Sequence, residues 1–96
     1  MPSFEQHCQD SIAELGQPFE AVHLWLDEYA GKEGYGMRHR RKRHHLQGTR
    51  EAVSLFGQEA EAAARLHIVA DLREEGWTET DHFPINEADH ARMGLF

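Results

Sequence analysis

The chain has 96 residues, 40% hydrophobic and 28% charged, which is typical of one globular domain with a modest core and excludes a disordered chain. A net charge of −7 argues against a general nucleic-acid binder, and the single cysteine, Cys8, excludes an internal disulfide and a thiolate zinc cluster. No apolar run reaches the roughly 20 residues of a membrane span and no signal peptide is recognisable, so we expect a cytoplasmic protein without a membrane partner.

Residues 3–15 predict a first helix, with Ser3 as its N-cap and Gly16 as its terminator. Helical spacing gives this helix an apolar stripe, expected to face the core, of Phe4, Cys8, Ile12 and Leu15. His7 and Ser11 lie on the same side of the helix. We interpret Cys8 as a packing residue rather than a nucleophile.

Residues 18–30 predict a second helix that begins near Pro18 and ends before Gly31. Its inward stripe consists of Phe19, Val22, His23 and Leu26. Asp27 follows His23 by one turn, which places both side chains on one face.

Residues 37–56 predict a third helix, which begins with the basic run Arg38–His45 and contains Gly48. Glycine inside a helix costs about 1 kcal/mol relative to alanine, so we expect a neighbouring element to pack closely against Gly48. The basic run is either a solvated helix face beside acidic neighbours or one wall of a ligand site. Which of His39, His44 and His45 points inward depends on the phase of this helix.

Residues 58–75 predict a fourth helix that Gly76 ends, and Asn86 is a suitable cap for a short last helix in an otherwise irregular tail. His82 and His90 fall in this tail and are expected at the surface. The predicted fold is all-α: a small, four-helix-bundle-like single domain spanning residues 1–96.

Histidines from all four main helices are predicted to point towards the core, which favours a divalent metal site in the interior. The expected ligands are His7, His23, His44, His45, His67 and Asp71. Imidazole and carboxylate donors suit zinc, manganese or iron without distinguishing between them. The alternative is that each histidine is a core residue held by its own hydrogen bond.

Carboxylates and arginines close to these histidines in the sequence are candidates for catalysis and substrate binding. Asp27, Asp71 and His39 are the candidate catalytic residues, with each aspartate four residues after a histidine as ligand or hydrogen-bond partner. The cations expected to bind an anionic substrate are Arg38, Arg40 and Arg43. Together they predict a metal-dependent hydrolase that acts on a phosphoester or another anionic small molecule.

The chain also resembles a family of small, uncharacterised bacterial and phage proteins that share an order of motifs. These motifs are H-x-W-x-D at 23–27, R-H-R-x-x-R-H-H-x-x-G at 38–48 and H-x-x-x-D-L at 67–72, after a histidine, serine and glycine at 7, 11 and 16. The chain departs from the pattern between Phe56 and His67, where the relatives carry a longer insertion. The resemblance implies no reaction, but it implies that the histidines of the four helices form one constellation.

A different class of function fits the same residues. In that interpretation the histidines and arginines form a structural network, and the polarised surface of a non-enzymatic interaction module binds a protein or nucleic acid, or acts as a phage-type inhibitor. A homodimer is expected in either case, because Trp25, Trp77 and Phe96 leave apolar surface to cover.

Overall fold

Six α-helices make up most of the regular structure in the computed structural model, which describes residues 3–30, 32 and 35–95. They are α1 (Phe4–Leu15), α2 (Glu20–Leu26), α3 (Arg40–Arg43), α4 (Leu46–Phe56), α5 (Ala60–Glu74) and α6 (Glu87–Arg92), with a 3-10 helix (Gly36–His39) before α3. The described residues contain no strand, which confirms the all-α class.

Helix α1 has the predicted ends but buries a different face. The Ser3 hydroxyl accepts the N–H of Gln6 at 3.1 Å, and Gly16 closes the helix with a φ of 82°. The predicted apolar stripe is wrong in part, since Phe4 is 39% and Ile12 is 51% exposed. The buried residues of α1 are His7 and Ser11, so this helix turns its polar side chains to the interior.

The prediction of a single third helix over residues 37–56 is wrong, because the helix is interrupted at His44 and His45. His45 is extended, with a φ of −159°, and its Nδ1 accepts the N–H of Gly48, so it caps α4. A Cβ on Gly48 would collide with the backbone of Arg43. The close neighbour expected at Gly48 is therefore the preceding short helix, α3.

Helix α5 lies at the centre of the fold and packs against α1, α2 and α4, while α3 packs against α6. The apolar core is small and rich in alanine: Val22, Leu26, Ala52, Ala60, Ala63, Ala64, Ile68, Leu72 and Leu95. The radius of gyration, 12.4 Å, is about the value expected for a chain of this length. None of the described helices combines the length and apolar character needed to cross a bilayer.

Candidate metal centre

Six ionisable side chains from different parts of the fold meet around α5. They are His7 of α1, Asp27 at the end of α2, His39 of the 3-10 helix, His44 after α3, and His67 and Asp71 of α5. The four imidazoles are buried. The Asp27 side chain is 32% exposed and the Asp71 side chain only 4%, so the group meets solvent at Asp27.

Asp71 is the inner carboxylate of the group. Its Oδ2 lies 2.9 Å from Nε2 of His44 and 3.3 Å from Nε2 of His67. Its Oδ1 lies 3.4 Å from Nε2 of His7, whose ring stacks on that of His67 with centroids 3.6 Å apart. Three imidazoles therefore present their Nε2 atoms to one carboxylate.

Asp27 is the outer carboxylate and contacts two of the same imidazoles, His44 and His67. Its Oδ1 lies 3.2 Å from Nε2 of His39 and 3.4 Å from Nε2 of His44. Its Oδ2 lies 3.4 Å from Nε2 of His67. The donor atoms of Asp27, His44, His67 and Asp71 all fall within 4.8 Å of one another, close enough to hold a metal ion.

The spacing of these atoms fits a cation better than a set of hydrogen bonds. Four of the six imidazole–carboxylate contacts are 3.3–3.4 Å long, beyond the roughly 3.2 Å limit of a good N–H···O bond. Two donors about 2.1 Å from one ion, at 90° to 109°, lie about 3.0–3.4 Å apart. His7 Nε2, His67 Nε2 and Asp71 Oδ1 are buried without a hydrogen-bond partner among the described residues, as unliganded metal donors would be.

The surrounding imidazoles hold both acids in their charged form. Burial alone raises the pKa of Asp27, but the polar contacts with His39, His44 and His67 outweigh it, and the pKa falls well below its usual range. Burial also raises the pKa of Asp71, but the contacts with its three imidazole neighbours lower this pKa by more. Both side chains are therefore carboxylates at neutral pH, the form that ligates a cation.

His23 lies behind the centre rather than at the carboxylates. Its Nδ1 is 2.8 Å from Nδ1 of His67, and its Nε2 is 2.7 Å from the hydroxyl of Ser11. Burial, followed by the nearby His67 and His7, lowers the pKa of His23 to about 4, so the ring is neutral at pH 7. Its donor atoms do group with those of His7 and His67 within 4.8 Å. With both nitrogens hydrogen-bonded, however, its position suits a residue that orients the ring of His67.

The structure separates the three arginines expected to bind substrate. Arg40 is buried, its Nη1 donates to Glu75 at 2.8 Å, and its Nη2 lies 3.3 Å from Glu74 and 3.6 Å from Asp71 Oδ1. Arg43 donates to Glu28 at 2.8 Å and to the carbonyl of Trp25 at 2.7 Å, and its guanidinium lies over the Trp25 ring. Arg38 is exposed. Arg40 and Arg43 thus already pair with acids of this chain.

His45, predicted as a metal ligand, is not brought to the centre. Its Nδ1 accepts the N–H of Gly48 at 3.0 Å, and its Nε2 donates to the carbonyl of Arg41 at 2.9 Å. Both ring nitrogens are therefore occupied by the backbone where α3 gives way to α4. The adjacent His44 is the one that reaches the carboxylates.

The prediction that His90 lies at the surface is wrong, whereas His82 is exposed as predicted. The ring of His90 is fully buried, and neither nitrogen has a hydrogen-bond partner among the described residues. Helix α6 is only six residues long and has no apolar stripe, so no periodicity marked His90 as inward. Ser11 was also missed as a site residue, although its place one turn after His7 on the same face was a usable signal.

A family model described as a domain of unknown function (DUF6915) matches residues 2–90. No curated protein and no solved structure matches the chain. The match confirms the expected membership of an uncharacterised family, while the bacterial or phage origin and the motif order stay predictions. Because the match spans nearly the whole sequence, the chain belongs to the DUF6915 family.

Proposed function

We propose that the chain binds a divalent metal at His7, Asp27, His44, His67 and Asp71 and uses it to hydrolyse a phosphoester or another anionic small molecule. The observation that carries the proposal is a set of buried donor atoms that have no hydrogen-bond partner within the described part of the chain: His7 Nε2, His67 Nε2 and Asp71 Oδ1. Leaving such groups without partners costs about 1–3 kcal/mol each, which a bound cation would offset.

The donor chemistry narrows the ion to zinc, manganese or iron. Neutral imidazoles with carboxylates suit all three of these metals, and the only cysteine, Cys8, is not part of the group. A divalent cation held there would supply Lewis-acid activation of water for hydrolysis at neutral pH.

The buried and the exposed residues of the site have different roles in the proposed reaction. Asp71 is buried and anchors the imidazoles, whereas Asp27 lies where the centre meets solvent and can hold an incoming water. His39, the candidate catalytic histidine, contacts Asp27 Oδ1 at 3.2 Å and orients this carboxylate. Arg38, exposed and next to His39, is the arginine placed to attract an anionic substrate.

Metal content and turnover test the proposal together. Protein purified without chelator should contain zinc, manganese or iron by elemental analysis, and should hydrolyse bis(p-nitrophenyl) phosphate. Asp27→Asn should abolish turnover, whereas His82→Gln, a change at an exposed histidine, should leave it unaltered. Protein that takes up none of the three metals after chelator treatment and reloading would refute the metal centre.

A non-enzymatic interaction module is the second candidate, and one observation favours it. Arg40 and Arg43 are engaged by Glu75 and Glu28, so two of the three arginines expected to bind substrate form ion pairs within the fold instead. A metal, if bound, would then be structural. This candidate requires metal binding without turnover on any phosphoester, together with partner binding that weakens steeply with salt.

Four further expectations stay predictions: a single domain over residues 1–96, four-helix-bundle packing, a cytoplasmic location and a homodimer. Leu55 is 61% and Phe56 is 40% exposed on α4, which supplies apolar surface that a second copy would cover. Sedimentation velocity at two protein concentrations would test the dimer.

A further inference from the structure

His44 and His67 differ in what supports their rings from behind. Both histidines direct Nε2 to the two carboxylates. The Nδ1 of His67 contacts His23 at 2.8 Å, whereas the Nδ1 of His44 is buried and has no hydrogen-bond partner within the described part of the chain. A histidine that binds a metal through Nε2 carries its proton on Nδ1, and this N–H almost always donates to a fixed partner. A partner is therefore expected at His44 Nδ1.

Hydrogen bonds at two points hold the segment that contains α6 against the segment that contains α3. The guanidinium of Arg41 donates to the carbonyl of Leu95 at 3.2 Å. The backbone N–H of Leu46 donates to the carbonyl of Pro84 at 2.8 Å. Helix α6 lies between the two bonded carbonyls in the sequence, and α3 packs directly against it. The two segments therefore run past each other in opposite directions.

Each of these segments carries a buried histidine between the two bonds. His44 falls within residues 41–46 and His90 within residues 84–95, and both side chains are fully buried. Burial lowers the pKa of His90 to about 3, and His44 has the next largest effect on this pKa, in keeping with two rings that are neighbours in the interior. The ring of His90 is therefore neutral at pH 7 and keeps one nitrogen that can accept a hydrogen bond.

Arg40 adds a third buried polar atom, because its Nε has no hydrogen-bond partner in the part of the chain that the structure describes. The N–H of His44 donates to the carbonyl of Arg40 at 2.8 Å, and both side chains contact Asp71, so they lie on the same side of α3. Arg40 Nε–H and the Nδ1–H of a metal-bound His44 can only donate. A direct bond to His90 would satisfy one of these donors, whereas a water molecule can accept from both and donate to His90.

We propose that His90 is a positioning residue of the metal centre, which binds one buried water together with His44 Nδ1–H and Arg40 Nε–H. The water accepts from both N–H groups and donates to His90, and this fixes the ring of His44 with Nε2 towards the carboxylates. Because Glu74 and Glu75 already pair with Arg40, a neutral water suits this position better than an anion. The inference rests on the proposed metal centre and adds a water site and a role for His90.

Zinc affinity, measured at pH 7 against a competing chelator, tests the role of His90. His90→Leu should bind zinc about 10–100-fold more weakly than the original chain, because the water loses its acceptor and His44 its support. His90→Gln, whose amide oxygen accepts a hydrogen bond, should recover most of the loss, and His82→Gln is the control. His90→Leu with the original affinity, or His90→Gln as weak as His90→Leu, would overturn the inference and leave the metal centre standing. An original chain that binds no zinc would overturn both.

Nuclear magnetic resonance of the zinc-loaded original chain tests the water itself, and decides if His90→Leu fails to fold. In protein labelled with nitrogen-15, the ring proton of His44 should lie on Nδ1 and show a rotating-frame Overhauser cross-peak to a long-lived water. The signal is assigned by its loss in His44→Gln. Three results would contradict the proposal: a proton on His44 Nε2, no water cross-peak at Nδ1–H, or a nitrogen–nitrogen coupling to His90, which would show a direct hydrogen bond.

Discussion

At the residue scale, the centre depends on side chains that never touch the carboxylates. Ser11 contacts His23, and His23 contacts the Nδ1 of His67, so a chain of two short contacts fixes the ring whose Nε2 faces Asp27 and Asp71. Such outer partners set the tautomer and the orientation of a ligating histidine. The hydroxyl of Ser11 is therefore part of the candidate site although Ser11 is not one of the candidate ligands.

Ser11→Ala should lower the affinity for zinc by about 10-fold without changing the stoichiometry, because His23 loses the partner that orients it behind His67. Competition with a zinc chelator of known affinity measures the change. Ser54→Ala, at an exposed serine of α4, is the control and should bind zinc as tightly as the original chain. An affinity in Ser11→Ala equal to that of the control would show that His23 needs no support.

His90 should make the protein less stable in acid. Burial, followed by the charges of His44, His45, Arg41 and Arg40 on the segment packed against α6, lowers the pKa of His90 to about 3. The unfolded chain takes up a proton near pH 6.5, whereas the folded chain does not until about pH 3, so stability falls between these values.

Replacing this ring should remove part of the acid sensitivity. Between pH 6.5 and pH 5 the original chain should lose about 2 kcal/mol more than His90→Leu. Urea unfolding at both pH values, with chelator present so that metal loss does not contribute, measures the difference. Equal losses in the two proteins would mean that His90 is protonated in the folded state.

At the element scale, the break between α3 and α4 decides which histidine enters the centre. His45 caps α4 through Gly48, and this turn directs the adjacent His44 to Asp71 and Asp27. A continuous helix over residues 37–56 would not allow both arrangements, since His45 is extended. The spacing of apolar residues favoured a continuous helix, because this spacing does not reveal a side chain that caps a new helix in the middle of the pattern.

Gly48→Ala should destabilise the protein by about 1–3 kcal/mol, although alanine is the better helix former by about 1 kcal/mol. The reason is that the added methyl meets the backbone of Arg43, which cannot swing aside as a flexible side chain would. Thermal unfolding measures the change. Ser54→Ala on the same helix should be neutral or slightly stabilising, and Gly48→Ala behaving in the same way would contradict the close contact.

At the scale of the whole molecule, polar side chains occupy much of the interior. The apolar core contains four alanines, while His7, His23, His44, His67 and Asp71 are all buried around the same central helix. A core of this composition supplies little hydrophobic stabilisation, so we expect metal binding to contribute to the free energy of folding.

Chelator should therefore lower the melting temperature. An ion present at 100 times its dissociation constant stabilises the folded state by about 2.7 kcal/mol, which corresponds to roughly 10–20 °C for a domain of this size. Differential scanning calorimetry with and without EDTA measures the shift. Asp27→Asn should respond much less than the original chain, and His82→Gln should respond fully. A melting temperature unaffected by EDTA in the original chain would exclude a metal contribution to stability.

The sequence by itself determined the all-α class, the caps at Ser3 and Asn86 and the burial of His23 and His67, because caps and helical spacing are local properties. Only the tertiary structure decided that His44 rather than His45 faces the carboxylates, that His90 is buried and that Arg40 pairs with Glu74 and Glu75. These outcomes depend on how helices distant in sequence dock against α5 and α6. Periodicity assigns a face to each helix, whereas the docking angle and the partner of each polar atom are set by packing the whole chain.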